Sequence, residues 1–500
     1  MNILIIPVFL FSIFLSILAI RSTVLLMHTL NITDNPDYEH KLHDTNTPFV
    51  GGVGVLAALC FAFILLINLH SEYFQKCIAL LICSIIIWST GFVDDAIKLG
   101  YKLRLAIQAL VALIMILAGG VVVNELGGLF FGFPLQLGTF FGIIFTLIAT
   151  IGGINALNMM DGVDGLSGSI ALVSLLLIGA AAYIAQDQHN LILICALAGG
   201  VVGFLHFNLR HPYQRNARVF LGDNGSMLLG VMFAWLLVDI AQNPNPSITP
   251  VTAIWLFSVP LLDMFSVMMR RMFSGHSPFT PDRKHLHHLL MKSGFRVSEI
   301  VFTITLLHGL LGIIGLAGLY LGVPEFAMLL GFLLILTGYF YLTYHPEKFI
   351  SLLRILDMLL NTRLRFAPVS NSKILIGSYS TQETEALARA ISDELGPEMN
   401  YWIRIFRKSS EPNHSENCYA ITLNIWLDKK DDFSKETLRQ YIVSLQWRLI
   451  EQRGIHLHRF SNREADFDPV IYSKGSAFGE SKVKSRRKLG PQALSFEVLR

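Results

Sequence analysis

Residues 137–185 read LGTFFGIIFTLIATIGGINALNMMDGVDGLSGSIALVSLLLIGAAAYIA. Two apolar runs, 137–155 and 166–185, flank a short polar stretch. Each is close to the roughly 20 residues that a helix needs to cross the hydrocarbon core of a bilayer. Working outward on that rule gives about eleven spans, at residues 3–24, 49–69, 76–93, 104–123, 137–155, 166–185, 190–208, 225–242, 250–270, 301–321 and 325–344. The reading is an all-α polytopic membrane protein.

Composition supports it. Of 500 residues, 53% are apolar and 15% charged, against about 25% charged in an average soluble chain. Mean hydropathy is +0.54. A soluble enzyme and a disordered chain are both excluded, and a net charge of +3 offers no field for nucleic acid. The five cysteines (60, 77, 83, 195 and 418) form no CxxC pair, against a zinc site or disulfide framework. Residues 1–344 carry 15 of the 39 lysines and arginines and 17 of the 36 acids. The remainder of the chain is highly charged, and the reading is therefore of a two-part protein.

The first twenty residues lack a basic start and a small-residue cleavage site, so they read as an uncleaved span with its N-terminus outside. Lys41, Lys98, Lys102, Arg104, Arg210, Arg215, Arg218, Arg270, Arg271, Arg283, Lys284, Lys292 and Arg296 then fall on inner loops, and only Lys76 on an outer one. An odd number of spans puts the C-terminus in the cytoplasm. The expected divisions are a membrane domain at 1–344, a linker at 345–372, a soluble α+β domain at 373–465 and a basic, disordered tail at 466–500. Within the soluble domain, strands at 373–378, 400–407, 417–427 and 455–460 and helices at 381–395 and 434–452 give a ferredoxin-like βαββαβ order.

Ionisable groups at or in a membrane are costly, so their placement is informative. They gather at inner span ends. The first group is GFVDD (91–95) with Lys98 and Lys102. Two carboxylates at a helix C-terminus oppose its dipole, whereas paired acids followed by lysines suit a magnesium-dependent phosphate site with one acid free as a base. The second is NALNMMDGVDGL (155–166), in which Asn155, Asn158 and Asp161 share a helix face and Asp164 follows among glycines. The third is FLGDNGS (220–226), where Asp223 reads equally as a helix cap or a metal ligand. The fourth is SPFTPDRKHLHH (277–288), a helix start set by Thr280 and Pro281, with Arg283, Lys284, His285, His287 and His288 suited to an anion. A fifth, Gly51, Gly52 and Gly54, reads at least as well as close helix packing. A secondary transporter is the rival class, but transport sites lie near the bilayer midplane, whereas these motifs lie at its inner boundary.

GFVDD with Lys98 and Lys102, NALNMMDGVDGL, FLGDNGS and HLHH, in this order, resemble the polyprenyl-phosphate N-acetylhexosamine-1-phosphate transferase family over roughly residues 35–300. KLH before TPFVGG, and HLHH after SPFTPDRK, look like its bacterial undecaprenyl-phosphate N-acetylglucosamine-1-phosphate transferases. The resemblance implies that UDP-GlcNAc and undecaprenyl phosphate give undecaprenyl-diphosphate-GlcNAc and UMP. This would be the first membrane step of an O-antigen, common-antigen or teichoic-acid type polysaccharide, on the cytoplasmic face of a bacterial inner membrane. Another UDP-N-acetylhexosamine, or phospho-MurNAc-pentapeptide, stays open as donor. So does an aspartyl-phosphate intermediate in place of direct attack, and so does a homodimer.

The same resemblance implies Mg²⁺, with Mn²⁺ as substitute, held by Asp223 and Asn158. Asp94 or Asp95 would handle the lipid phosphate. Lys102 and Lys98 would hold phosphate. Asp161, Asp164 and Asn155 would shape the donor site, and Arg283, His285, His287 and His288 would contact the diphosphate. It says nothing of the chain after residue 345.

Overall fold

The computed structural model describes residues 4–29, 47–69, 73–278 apart from 212 and 215, 285–349 apart from 293, 294, 296, 346 and 347, and five strands between 400 and 499. Every one of the apolar runs contains a helix. The helices are α1 (Ile5–Thr29), α2 (Gly51–Leu69), α3 (Phe74–Ile97), α4 (Tyr101–Leu117), α5 (Gly138–Met160), α6 (Leu166–Ile184), α7 (Gln188–Asn208), α8 (Gly222–Gln242), α9 (Pro250–Leu256), α10 (Ser258–Phe273), α11 (Leu286–Lys292), α12 (Val297–Tyr320) and α13 (Glu325–Tyr344).

Among the described residues, nine of these helices are long and apolar enough to cross a membrane, fewer than the eleven expected. The two differences have physical causes. With 17 residues, α4 is only about 26 Å long at 1.5 Å per residue. The run 250–270 is not one helix: α9 and α10 meet at an 85° bend. Pro260 has no N–H to give the Leu256 carbonyl four residues back. That carbonyl instead accepts from Ser174 Oγ at 3.0 Å. The same Oγ then accepts from His308 Nε2 at 2.7 Å, in the fully buried middle of α12.

The most buried helix is α8, which packs on α2, α3 and α5. Glycines bring neighbours close, as small residues do where lipid gives helices no hydrophobic drive to associate. Gly199 and Gly203 of α7 lie against Ser12 and Ser16 of α1, and Ser16 Oγ donates to the Gly200 carbonyl at 2.8 Å. Gly54 meets Ser16 and Ile20, which bears out the packing reading of that motif. A second apolar cluster joins α9 to α13. Leu286, Leu289 and Leu290 enter it and seat the histidine-bearing α11.

A second unit of the chain holds the sheet. Its strands are β1 (Asn400–Lys408), β2 (Cys418–Trp426), β3 (His456–Arg459), β4 (Val470–Ser473) and β5 (Leu494–Leu499), in the order β3-β5-β2-β1-β4 with every pair antiparallel. β1, β2 and β3 stand where strands were expected. The expected strand 373–378 and helices 381–395 and 434–452 lie outside the described residues. β4 and β5 fall inside the stretch read as a disordered tail, and β5 sits between β2 and β3. The basic run 481–490 dominates that stretch and hides the period-two pattern of Leu494, Phe496 and Val498.

Candidate active site

The site is built from four helix ends, those of α3, α4, α5 and α8. The last turn of α3 carries Asp94 and Asp95, and Lys98 closes it in a left-handed conformation, φ 55°. The chain turns at once into α4, whose first turn sends Arg104 back. Its Nη1 lies 2.8 Å from Asp94 Oδ2 and 3.9 Å from Asp223 Oδ2. Asp94 Oδ1 also accepts from the Leu99 N–H at 2.5 Å. One guanidinium thus stands between two carboxylates that adjoin each other.

Asp95 faces the N-terminus of α8. Its Oδ1 accepts from the Asp223 N–H at 2.9 Å, and its Oδ2 from the Asn224 N–H at 3.2 Å and Asn224 Nδ2 at 2.7 Å. A carboxylate from α3 therefore caps another helix, meeting both its free N–H groups and its dipole. Two glycines permit this. A side chain at Gly91 would lie 2.4 Å from the Asn224 backbone, and one at Gly222 (φ +74°) would lie 2.6 Å from Asp95 Oδ2.

From α5, Asn158 Nδ2 donates to Asp223 Oδ1 at 2.8 Å and to Ser226 Oγ at 2.9 Å. Asn155 does not join this group: its amide donates to Gln108 Oε1 at 2.7 Å and ties α5 to α4. In the turn after α5, Ser167 donates to Asp161 at 2.5 Å. Burial pushes the Asp161 carboxyl up to about 7; the Ser167 hydrogen bond opposes this, and the Asp95 and Asp164 charges reinforce it. Asp164 is buried and takes Arg210 Nε at 2.7 Å and the Ala217 N–H at 3.2 Å, so it anchors the loop leading to α8. Lys98 and Lys102 are exposed, and the Lys98 charge acts on Asp95.

The histidines meet the same turn. A side chain at Gly162 would lie 2.5 Å from His287 Nε2, which puts the DGVDG turn against α11. His287 is buried, and its Nδ1 has no hydrogen-bond partner among the described residues. Burial holds it down at about 3, with the neighbouring His288 acting in the same direction, Asp263 opposing and His285 adding to the depression. His285 stacks parallel to His287, with centroids 5.6 Å apart, and its Nδ1 lies 2.7 Å from Asp263 Oδ2. Arg283, with Lys284 and the Thr280–Pro281 helix start, lies outside the described residues, as do Lys41 and His43.

The structure thus brings together Asp94, Asp95, Asn158 and Asp223, and separately Gly162 with the histidines. Arg104, Ser167, Asn224, Ser226 and Asp263 are site residues that the sequence reading does not assign. Asn224 and Ser226 lie inside the FLGDNGS motif, Arg104 among the inner-loop cations, and Asp263 stands as a lone acid inside an apolar run; Ser167 carries no signal.

The family model described as glycosyl transferase family 4 matches residues 77–241. The protein of Yersinia pestis named undecaprenyl-phosphate alpha-N-acetylglucosaminyl 1-phosphate transferase is 37% identical over 314 residues, 62% of this chain and 84% of its own length. Proteins of the same name from Salmonella typhi and Haemophilus influenzae are 36% and 33% identical, over 66% and 67% of this chain and 87% and 94% of theirs. A chain that covers most of such relatives, with its acidic motifs meeting at the ends of α3, α5 and α8, belongs to glycosyl transferase family 4.

Proposed function

We propose that the helical bundle transfers GlcNAc-1-phosphate from UDP-GlcNAc to undecaprenyl phosphate, giving undecaprenyl-diphosphate-GlcNAc and UMP, on the cytoplasmic face of a bacterial inner membrane. The observation that carries this reading is the convergence of Asp94 and Asp223 on Arg104, with Asn158 beside Asp223. It occurs in a chain whose relatives bear that activity in their names.

Phosphoryl transfer is mostly positioning and charge neutralisation. Among the described residues no three His, Cys or carboxylate side chains form a metal cage. Mg²⁺ does not need one, since it is held by one or two carboxylates together with substrate phosphates and water. Asp223 and the amide oxygen of Asn158 suit that role, with Mn²⁺ as a substitute. The bound ion would supply neutralisation of the diphosphate charge. Asp95 serves the α8 cap, and Asp94, which adjoins Asp223 and Arg104, is the member of the pair assigned to take the proton of the lipid phosphate. An oxygen of that phosphate then bonds to the sugar-linked phosphorus, and the P–O bond to UMP breaks. Lys98, Lys102 and Arg104 bind phosphate oxygens. Arg283, His285, His287 and His288 bind the donor diphosphate, and Asp161 and Asp164 shape the turn beneath it.

The test is incubation of the purified protein with Mg²⁺, undecaprenyl phosphate and a panel of UDP-sugars, followed by identification of the released nucleotide. UMP from UDP-GlcNAc supports the reading. Release of UDP, the product of ordinary glycosyl transfer, overturns it.

A further inference from the structure

Asp263 lies on α10, 1% exposed, in a run that is otherwise apolar. A buried carboxylate is costly in such a segment and persists where donors surround it. Asp263 has three. Its Oδ1 accepts from Tyr339 OH on α13 at 2.7 Å and from the Leu286 N–H at 2.9 Å, while its Oδ2 is spent on His285 Nδ1 at 2.7 Å. Anchoring α11 does not by itself require this acid, because Leu286, Leu289 and Leu290 already bind that helix to the apolar cluster. An ionised carboxylate is an acceptor only, so the imidazole facing it carries its proton on Nδ1.

We propose that Asp263 and Tyr339 are positioning residues for His285: the carboxylate holds the Nδ1–H and the ring plane, so that Nε2–H of the protonated ring is the donor offered to the donor diphosphate, and the phenol holds the carboxylate. This rests on the reading of His285 as a donor-phosphate residue. The geometry is that of a ligand histidine oriented by an outer carboxylate, an arrangement whose loss typically costs about 10–100-fold where it supports a metal. Among the described residues, the charged or titratable groups around His285 are Asp263 on α10, Tyr339 on α13 with Arg270 acting on that phenol, and His287 and His288 on α11.

The test uses the full chain in detergent, with UMP release from UDP-GlcNAc measured across about pH 6 to 9, where an imidazole-dependent limb is visible. The variants are Asp263→Asn, Tyr339→Phe, His285→Gln and the double variant Asp263→Asn with His285→Gln. Asp263→Asn is expected to lower kcat/KM for UDP-GlcNAc about tenfold or more and to leave the KM for undecaprenyl phosphate near wild type. It should move the pH limb that His285→Gln abolishes to lower pH, because the imidazolium loses its counter-charge. Tyr339→Phe should move the same limb to higher pH, because the carboxylate loses a competing donor. The double variant should be no worse than His285→Gln alone. A purely structural Asp263 would leave the limb in place and make the two losses multiply, and either result overturns the proposal. Should Asp263→Asn not fold, Tyr339→Phe decides: an upward shift supports the proposal, and an unmoved limb overturns it. Wild-type protein that releases no UMP overturns the functional reading and this inference with it. Wild-type turnover with an unmoved limb overturns this inference alone.

Discussion

Asp161 sits where three influences meet: burial, the Ser167 hydroxyl and the charges of Asp95 and Asp164. Its carboxyl is held at about 7, well above an ordinary aspartate. The folded chain therefore keeps this proton where the unfolded chain has released it. The stability tied to that proton is full below the ordinary carboxyl range and is lost as the pH rises toward 7. Asp161→Asn, neutral at every pH, is thus expected to match wild type near the acid end and to gain on it steadily up to about pH 7, with no further gain above. Melting curves in detergent at a series of pH values check this, and a constant offset between the two proteins would show that Asp161 ionises normally. The acidic motif itself was legible in sequence. Its division of labour was not: neighbouring aspartates look alike in sequence, and only their partners separate Asp161 from Asp164, which is fixed by Arg210 and the Ala217 N–H.

Two junctions join elements that lie far apart in the chain. At the first, Asp95 of α3 caps α8. Removing a side-chain cap costs about 1–2 kcal/mol, and loss of the charge at the helix N-terminus adds to that. Asp95→Ala is therefore expected to lower the melting temperature more than Asp94→Ala, although both should depress UMP release. Equal melting temperatures would remove the capping role. At the second, the Leu256 carbonyl freed by Pro260 is met by Ser174, which in turn holds His308. Ser174→Ala leaves two buried polar groups short of partners and should destabilise the bundle by about 1–3 kcal/mol, measured by thermal aggregation in detergent. A neutral result would mean that the bend is held by apolar packing alone. Sequence periodicity missed the bend because a proline in an apolar run leaves hydropathy unchanged while removing one hydrogen bond.

On the scale of the whole molecule, the helical unit contains every described residue to which a role has been given, and its second apolar cluster closes with Phe332 of α13 and Phe349 just beyond it. A chain truncated after Phe349 is accordingly expected to insert and to retain at least about a tenth of UMP release, a loss of no more than 1.4 kcal/mol in transition-state stabilisation. Complete loss in a stably inserted truncation would assign the C-terminal unit a part in catalysis. The sequence alone determined that this is a helical membrane protein, where its apolar runs lie, and which polar motifs interrupt them, because hydropathy and spacing are properties of the chain read in order. Only the tertiary structure decided which carboxylate caps a helix and which faces Arg104, that His287 lies against Gly162, and that Asp263 stands behind His285. Those facts are contacts between residues far apart in the chain, set by the close approach of helices that glycine permits, and no local pattern records them.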